Sequence, residues 1–392
     1  MRARITVLEI VLFVFLSWAP AAGAADQTTS GPTVEGLLDV LDWKELERFA
    51  EEVRREFSAY LPPLTLRGVI GDLQAGRPVL DPASLFSGVV QLFWKEVAVN
   101  AKVMGRLLVL AILCAVLHNL AASFERRSVG DLAYMVVLLA LLALAVGSFS
   151  LAMQSGREAV DRMTSFMHAL LPVLLSLMTA LGGMVSSAVI HPLVLGSLAL
   201  GAALVKNVVM PLLYFAAVLS VAGRLSERFP VTRLADTLRN LSVIALGLFV
   251  TLAVGVLAVQ GVAAGAVDSL TLRTAKFAST AFVPVIGKTL TDAVEAVVSA
   301  SFLVQSAATL LGVVVLLALA LFPAVKIGVL ALMFQVTAAL VQPFGDSRVS
   351  DTLGAMATAL GLAFACVVAV GMFFFLALSI VAGLGNLRAL WW

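Results

Sequence analysis

In a chain this poor in charge, the ionisable residues beside apolar runs are the ones with chemistry to offer. Lys288, Asp292 and Glu295 stand at i, i+4 and i+7, so they share one helical face, with Lys288 in reach of Asp292. Lys206 interrupts an apolar stretch, and Lys326 follows Pro323 by three residues in Leu321-Phe322-Pro323-Ala324-Val325-Lys326. A charge held in lipid costs about 2.5–3.5 kcal/mol on insertion scales, so groups in such places either snorkel to the interface or line a polar path. Lys206, Lys288, Asp292 and Lys326 are the candidate polar-path residues on the second reading. Covalent and hydrolytic chemistry has no constellation to work with. His118, His168 and His191 are scattered, and the chain has no H-E-x-x-H, no G-x-x-x-x-G-K-[ST] and no G-x-S-x-G. No enzyme activity, cofactor or metal is expected.

The elements that must position these groups follow from composition. Of 392 residues, 61% are apolar and 13% charged, and the mean hydropathy is +1.05. A soluble domain carries about 25% charged residues, so the chain is read as an all-α polytopic membrane protein. The net charge of +2 gives no reason to expect a nucleic-acid partner. The two cysteines, Cys114 and Cys366, both lie in apolar runs, which excludes a disulfide framework.

Residues 1–25 read as a secretory signal, with Arg2 and Arg4 ahead of an apolar stretch and a small-residue run ending at Ala25; an uncleaved first anchor is the alternative. Residues 26–102 hold 12 acidic against 8 basic residues and read as an exported soluble segment. Two amphipathic helices are expected there. One starts at the capping-box spacing Asp42-Trp43-Lys44-Glu45, carries Leu46, Phe49, Ala50, Val53, Phe57 and Tyr60, and stops at Pro62-Pro63. The other starts at Asp81-Pro82 and carries Leu85, Phe86, Val89, Val90, Phe93, Trp94 and Val97.

The membrane domain, 103–392, contains apolar runs at 105–122, 132–153, 166–190, 241–265, 301–321 and 353–383. Residues 192–205 and 208–223 form either two short spans or one kinked one, and 327–341 is short for a crossing, so seven to nine spans are expected. With residues 26–102 outside, the positive-inside rule agrees in placing Arg126 and Arg127 in the cytoplasm. An external turn at Lys206-Asn207 would put Arg224, Arg228, Arg233, Arg239 and the tail with Arg388 inside too. An offset of 112 residues pairs Pro172 with Pro284 and Pro211 with Pro323, suggesting repeat units at 166–223 and 278–342. These four prolines are candidate helix breaks around a cavity, with simple helix kinks as the alternative. Gly261, Gly265 and Gly361 head small-residue faces that permit close helix contact, and only weakly suggest a homo-oligomer.

Several segments together resemble the stage III sporulation protein AE family. They are Phe93-Trp94-Lys95-Glu96-Val97-Ala98-Val99-Asn100-Ala101-Lys102 leading into Gly105, Ser123-Phe124-Glu125, Leu171-Pro172 with Gly182-Gly183 and His191-Pro192, Phe282-Val283-Pro284-Val285-Ile286-Gly287-Lys288 with Thr291-Asp292-Ala293, Phe322-Pro323-Ala324-Val325-Lys326, Gln342-Pro343-Phe344-Gly345, and Phe374-Phe375-Leu376-Ala377. The resemblance implies a non-enzymatic membrane subunit of the channel or secretion-like assembly between mother cell and forespore. It further implies residence in the mother-cell membrane around the forespore and, as partners, the other stage III A-operon sporulation proteins, a forespore membrane partner and membrane lipid. An autonomous transporter of a small solute is the alternative function.

Overall fold

A peptide group in hydrocarbon has no water to bond, so an apolar chain must close its hydrogen bonds within each segment. In the computed structural model every described apolar run is helical, and no strand is present among the described residues. The structure describes residues 43–58, 65–77, 82–123, 127–180, 184–225, 231–282, 287–344 and 347–389, with a few isolated positions at 34–38 and 79; side chains are described at most of these except 120–129, 180–191, 259–296 and 384–389. The expected signal at 1–25 lies outside them.

The helices are α1 (Lys44–Phe57), α2 (Leu66–Gln74), α3 (Pro82–Ser123), α4 (Arg127–Ala180), α5 (Met184–Leu204), α6 (Met210–Leu225), α7 (Thr232–Phe282), α8 (Gly287–Val341) and α9 (Ser347–Ala389). A π-helical segment, Val205–Val209, joins α5 to α6, so Lys206-Asn207 is no turn, and residues 184–225 form one continuous helix with a bulge. The Asp81-Pro82 start signal marks the beginning of α3, and the expected amphipathic helix and first span are one helix of 42 residues. Helix α1 starts at Lys44, after Trp43, without a side-chain cap. Helix α2 was not anticipated; Thr65 caps it by accepting a hydrogen bond from the Gly68 amide at 3.1 Å.

Among the described residues, six helices are long and apolar enough to cross a membrane, where the sequence leads to seven to nine segments. The difference arises from mergers. Helix α4, 54 residues, runs through 132–153 and on past 166, and α8, 55 residues, contains both 301–321 and 327–341. The stretch between the apolar runs 132–153 and 166–190 is Gln154-Ser155-Gly156-Arg157-Glu158-Ala159-Val160-Asp161-Arg162-Met163-Thr164-Ser165. It is charged but has no proline, and most of its residues favour helix. Helices α4 and α8 extend for about 80 Å each at 1.5 Å per residue, against a hydrocarbon core of about 30 Å.

Close contacts fix the relative register of these helices. A Cβ on Gly156 would lie 3.2 Å from Ile327 and 3.5 Å from Val367, one on Gly371 would lie 2.8 Å from Ala320 and 3.6 Å from Met163, and one on Gly312 would lie 2.5 Å from Leu170. As α4 passes from 156 through 163 to 170, α8 therefore runs backward from 327 to 312 and α9 forward from 367 to 371. Helices α4 and α9 are parallel and α8 is antiparallel to both. Helices α8 and α9 are the best buried, with 61% and 56% of their most apolar windows inside the protein, against 17% for α3 and 22% for α7. The core is thus the α4–α8–α9 seam, and α3, α5–α6 and α7 pack around it.

Among the described residues, the glycines in close helix contact include Gly156, Gly312 and Gly371. A side chain at Gly361 would meet nothing within 4 Å, whereas one at Gly371 would strike the rigid Cβ of Ala320. Gly261 and Gly265 fall in α7 where side-chain surroundings lie outside the described residues. Gly371→Ala is therefore expected to destabilise the protein by about 1–3 kcal/mol, as overpacking does, while Gly361→Ala leaves it within about 0.5 kcal/mol. Thermal unfolding of the two variants in mild detergent checks the contrast.

Candidate functional site

Halfway along the bundle the apolar pattern gives way to charge. Helix α4 presents Gln154, Arg157, Glu158, Asp161 and Arg162 within nine residues, with completely buried side chains such as Phe149 before them and Phe166, Leu170 and Leu174 after them. At the same height the π-segment brings Lys206 to Asp161, whose Oδ1 accepts from Nζ at 2.5 Å. The extra residue that a π-turn accommodates shifts the facing of the helix at this point, and Met210 just beyond it reaches Gly156 of α4. Both partners of the Lys206–Asp161 pair are part-exposed, at 33% and 49%. This charged waist divides the bundle into a near tier, which holds the C-terminal ends of α3, α6 and α8 and the starts of α4, α7 and α9, and a far tier, which holds the ends of α4, α7 and α9 and the starts of α5 and α8.

The amphipathic helix α1 is seated on the waist. Its apolar face, Leu46, Phe49, Ala50 and Val53, is buried. Phe49 meets Phe166 of α4 edge-on with ring centroids 5.6 Å apart, and Phe57 stacks on Phe322 of α8 at 3.5 Å. The opposite side of the contact is ionic: Arg162 Nη1 donates to Glu56 Oε2 at 2.9 Å, and Arg162 Nη2 lies 3.7 Å from Glu52 Oε1. A segment expected to be soluble is thus clamped by two aromatic contacts and one arginine to the two longest helices, where both leave the apolar tiers. Its outer surface carries Arg48, Glu51 and Arg55 around a shallow depression of about 440 Å³ that Glu52 and Glu56 also line.

The sequence-derived candidates fall around this waist unevenly. Lys206 belongs to it through Asp161. Lys326 lies exposed on α8, close to Ile327, which touches Gly156. Lys288 and Asp292 lie in the first turns of α8, far from the waist, and their side chains are outside the described residues. Helices α4 and α8 run on through Pro172 and Pro323, which are half-buried inside them. Pro211 is the second residue of α6, directly after the π-segment, and Pro284 lies outside the described residues. Pro211 thus follows a bulge while its counterpart Pro323 sits in uninterrupted α-helix, so the backbone differs at this pair of the suggested repeat. A proline at 172 frees the carbonyl of His168; in the turn that follows, the Ser176 hydroxyl donates to the Pro172 carbonyl at 2.8 Å.

Asp161, Arg162, Glu52 and Glu56 escaped the sequence reading because the stretch around Asp161 resembles a loop in composition. The available signal was its periodicity: Asp161 and Arg157 are i, i+4, and Gly156, Val160 and Met163 continue the apolar face of the preceding run. No group of three or more His, Cys, Asp or Glu that could hold a metal occurs among the described residues. The waist can form ion pairs and anchor a helix; it assembles no nucleophile with a base.

Comparison with known proteins follows the same extent of chain. The sequence profile of the family described as Stage III sporulation protein AE matches residues 64–385. The chain is 36% identical over 372 residues to the Stage III sporulation protein AE of Bacillus subtilis (strain 168), covering 94% of this chain and 93% of that protein. No solved structure matches it.

Reversing the clamp tests the waist. Arg162→Glu places a carboxylate against Glu52 and Glu56 and should lower stability by about 1 kcal/mol, the upper range for part-exposed pairs. Adding Glu52→Arg and Glu56→Arg should recover most of that loss. Thermal unfolding of the three proteins reads the effect, and equal losses with and without the compensating changes would mean that α1 is not held there.

Proposed function

The chain belongs to the stage III sporulation protein AE family, and from that premise we propose that it is a non-enzymatic integral membrane subunit of the channel or secretion-like assembly between mother cell and forespore. One observation supports this reading above the others: two tiers of apolar helix meet at a charged waist that carries a docked amphipathic helix. A bundle apolar over about twice the thickness of one hydrocarbon core suits a part that is embedded in one membrane and reaches beyond it toward a second.

Charge supports an orientation. The near end carries Arg127, Arg224, Arg233, Arg239 and Arg348, with Arg126 and Arg228 next to these helix ends in sequence, and the far end carries Arg273, Lys276, Lys288 and Arg388. The positive-inside rule places the arginine-rich end in the mother-cell cytoplasm. The near tier then lies in the bilayer, with the exposed Val109, Leu113 and Val116 of α3 and Met135, Val136 and Leu139 of α4 facing lipid. The waist, α1 and α2 stand at the outer face, and the far tier projects into the intermembrane space. Six crossings carry Arg388 outside, where the external turn assumed at Lys206 had put it inside. In this reading the other stage III A-operon proteins and a forespore membrane partner cover the far tier. The open side of Gly361 is free to receive another copy of this chain.

The alternative of an autonomous solute transporter draws on one feature, the Lys206–Asp161 pair beside a π-bulge. Purification of tagged protein from sporulating cells in mild detergent separates the two. Co-purification of the other stage III A proteins is expected; isolation of the chain alone, from membranes that contain them, would favour the transporter. Phosphatase fusions check the orientation: those after Lys102 and Arg388 should be active and one after Ser128 inactive, and an inactive Arg388 fusion would contradict the six-crossing arrangement.

A further inference from the structure

The far tier contains a line of polar side chains that the waist does not explain. Ser301, Gln305 and Thr309 stand at i, i+4 and i+8 on α8, so they share one face. They are 0%, 3% and 9% exposed. The Ser301 and Thr309 hydroxyls and both amide atoms of Gln305 have no hydrogen-bond partner among the described residues. Gly312 continues the same face and lies against Leu170 of α4 and Leu378 of α9, so the stripe runs along the α4–α8–α9 seam.

Single ring and guanidinium nitrogens of Trp43 and Arg224 are also buried without a partner, but Ser301, Gln305 and Thr309 are the described residues where such groups line up on one face of a helix. Hydroxyls elsewhere in the apolar helices turn back to their own backbone: Thr337 donates to the Met333 carbonyl at 2.8 Å, Ser242 to Leu238 at 2.8 Å, Ser148 to Leu144 at 3.0 Å and Thr358 to Gly354 at 2.9 Å. Ser301 and Thr309 could do the same and do not. A buried donor or acceptor left unmade carries the full desolvation penalty of the group, and buried polar side chains nearly always find protein or water. Gln305 alone has two donor hydrogens and an acceptor oxygen to satisfy. All buried polar side chains among the described residues are uncharged, so the occupant that fits is neutral and both gives and takes hydrogen bonds.

We propose that Ser301, Gln305 and Thr309 form an internal water-binding track along the α4–α8–α9 seam of the far tier. The track stands on the chain's own interior and does not depend on which assembly the chain joins. It gives the far tier a hydrated lining where a uniformly apolar seam would be dry.

Cysteine accessibility in the full-length protein, in native membranes, tests this directly. With Cys114→Ala and Cys366→Ala as background, Ser301→Cys, Thr309→Cys and, on a different face and completely buried, Leu311→Cys are each treated with a small water-soluble thiol reagent. The first two should label at least about tenfold faster than the third, since thiol reactivity follows access and thiolate formation. Labelling as slow as at Leu311→Cys, with full reaction after denaturation, would overturn the track. Gln305→Leu supplies an independent reading: removal of a hydrated amide should leave the unfolding temperature unchanged or lower. A raised unfolding temperature would mean that the amide was buried dry, and the proposal would fall.

Discussion

The length of apolar helix is the constraint from which the rest of the structure follows. A largely apolar helical stretch of 48 residues, interrupted by charge only near its middle, as in α4 and again in α8, spans about 70 Å and cannot lie within one hydrocarbon core. In water it would expose too much apolar surface, and in lipid it is twice too long. The chain meets both limits by packing α4, α8 and α9 into one seam, so that the longest helices bury one another through Gly156, Gly312 and Gly371. Peripheral helices then cover the seam, and charge collects where one tier ends and the next begins.

The waist is the point where sequence, packing and membrane position meet. Asp161 and Arg162 are adjacent on α4 yet serve different elements, the first holding Lys206 of the bulged helix and the second holding α1. Each ion pair is part-exposed and worth little alone. Their effect is positional, because the aromatic contacts of Phe49 and Phe57 supply the burial while Arg162 sets which way α1 lies. In the proposed arrangement this ties a segment in the intermembrane space to the two helices that continue past the bilayer.

Much of this was legible in the sequence, and what was missed has physical causes. The all-helical fold, the start of α3 at Pro82 and the apolar face of α1 follow from period and capping signals that act locally. The mergers within α4 and α8 were hidden because charge at 154–162 and proline at 323 are ordinary marks of a turn. Here tertiary packing against both sides of the helix keeps it unbroken. Gly361 was chosen by spacing, which shows that two small residues share a face but not whether another helix lies opposite. Ser301, Gln305 and Thr309 are readable as an i, i+4, i+8 set, but only burial reveals that they lack partners.

The central claim is that the near tier is the membrane-embedded one and the waist marks its outer boundary. Spin labels on single cysteines at Met135 and Leu139 of the near tier, Glu158 of the waist and Leu193 of the far tier, all exposed on the protein, measure it through relative accessibility to oxygen and to a water-soluble relaxant. The account predicts lipid depth at Met135 and Leu139, water exposure at Glu158, and no bilayer-centre signal at Leu193. A bilayer-centre signal at Leu193, with water at Met135, would contradict it.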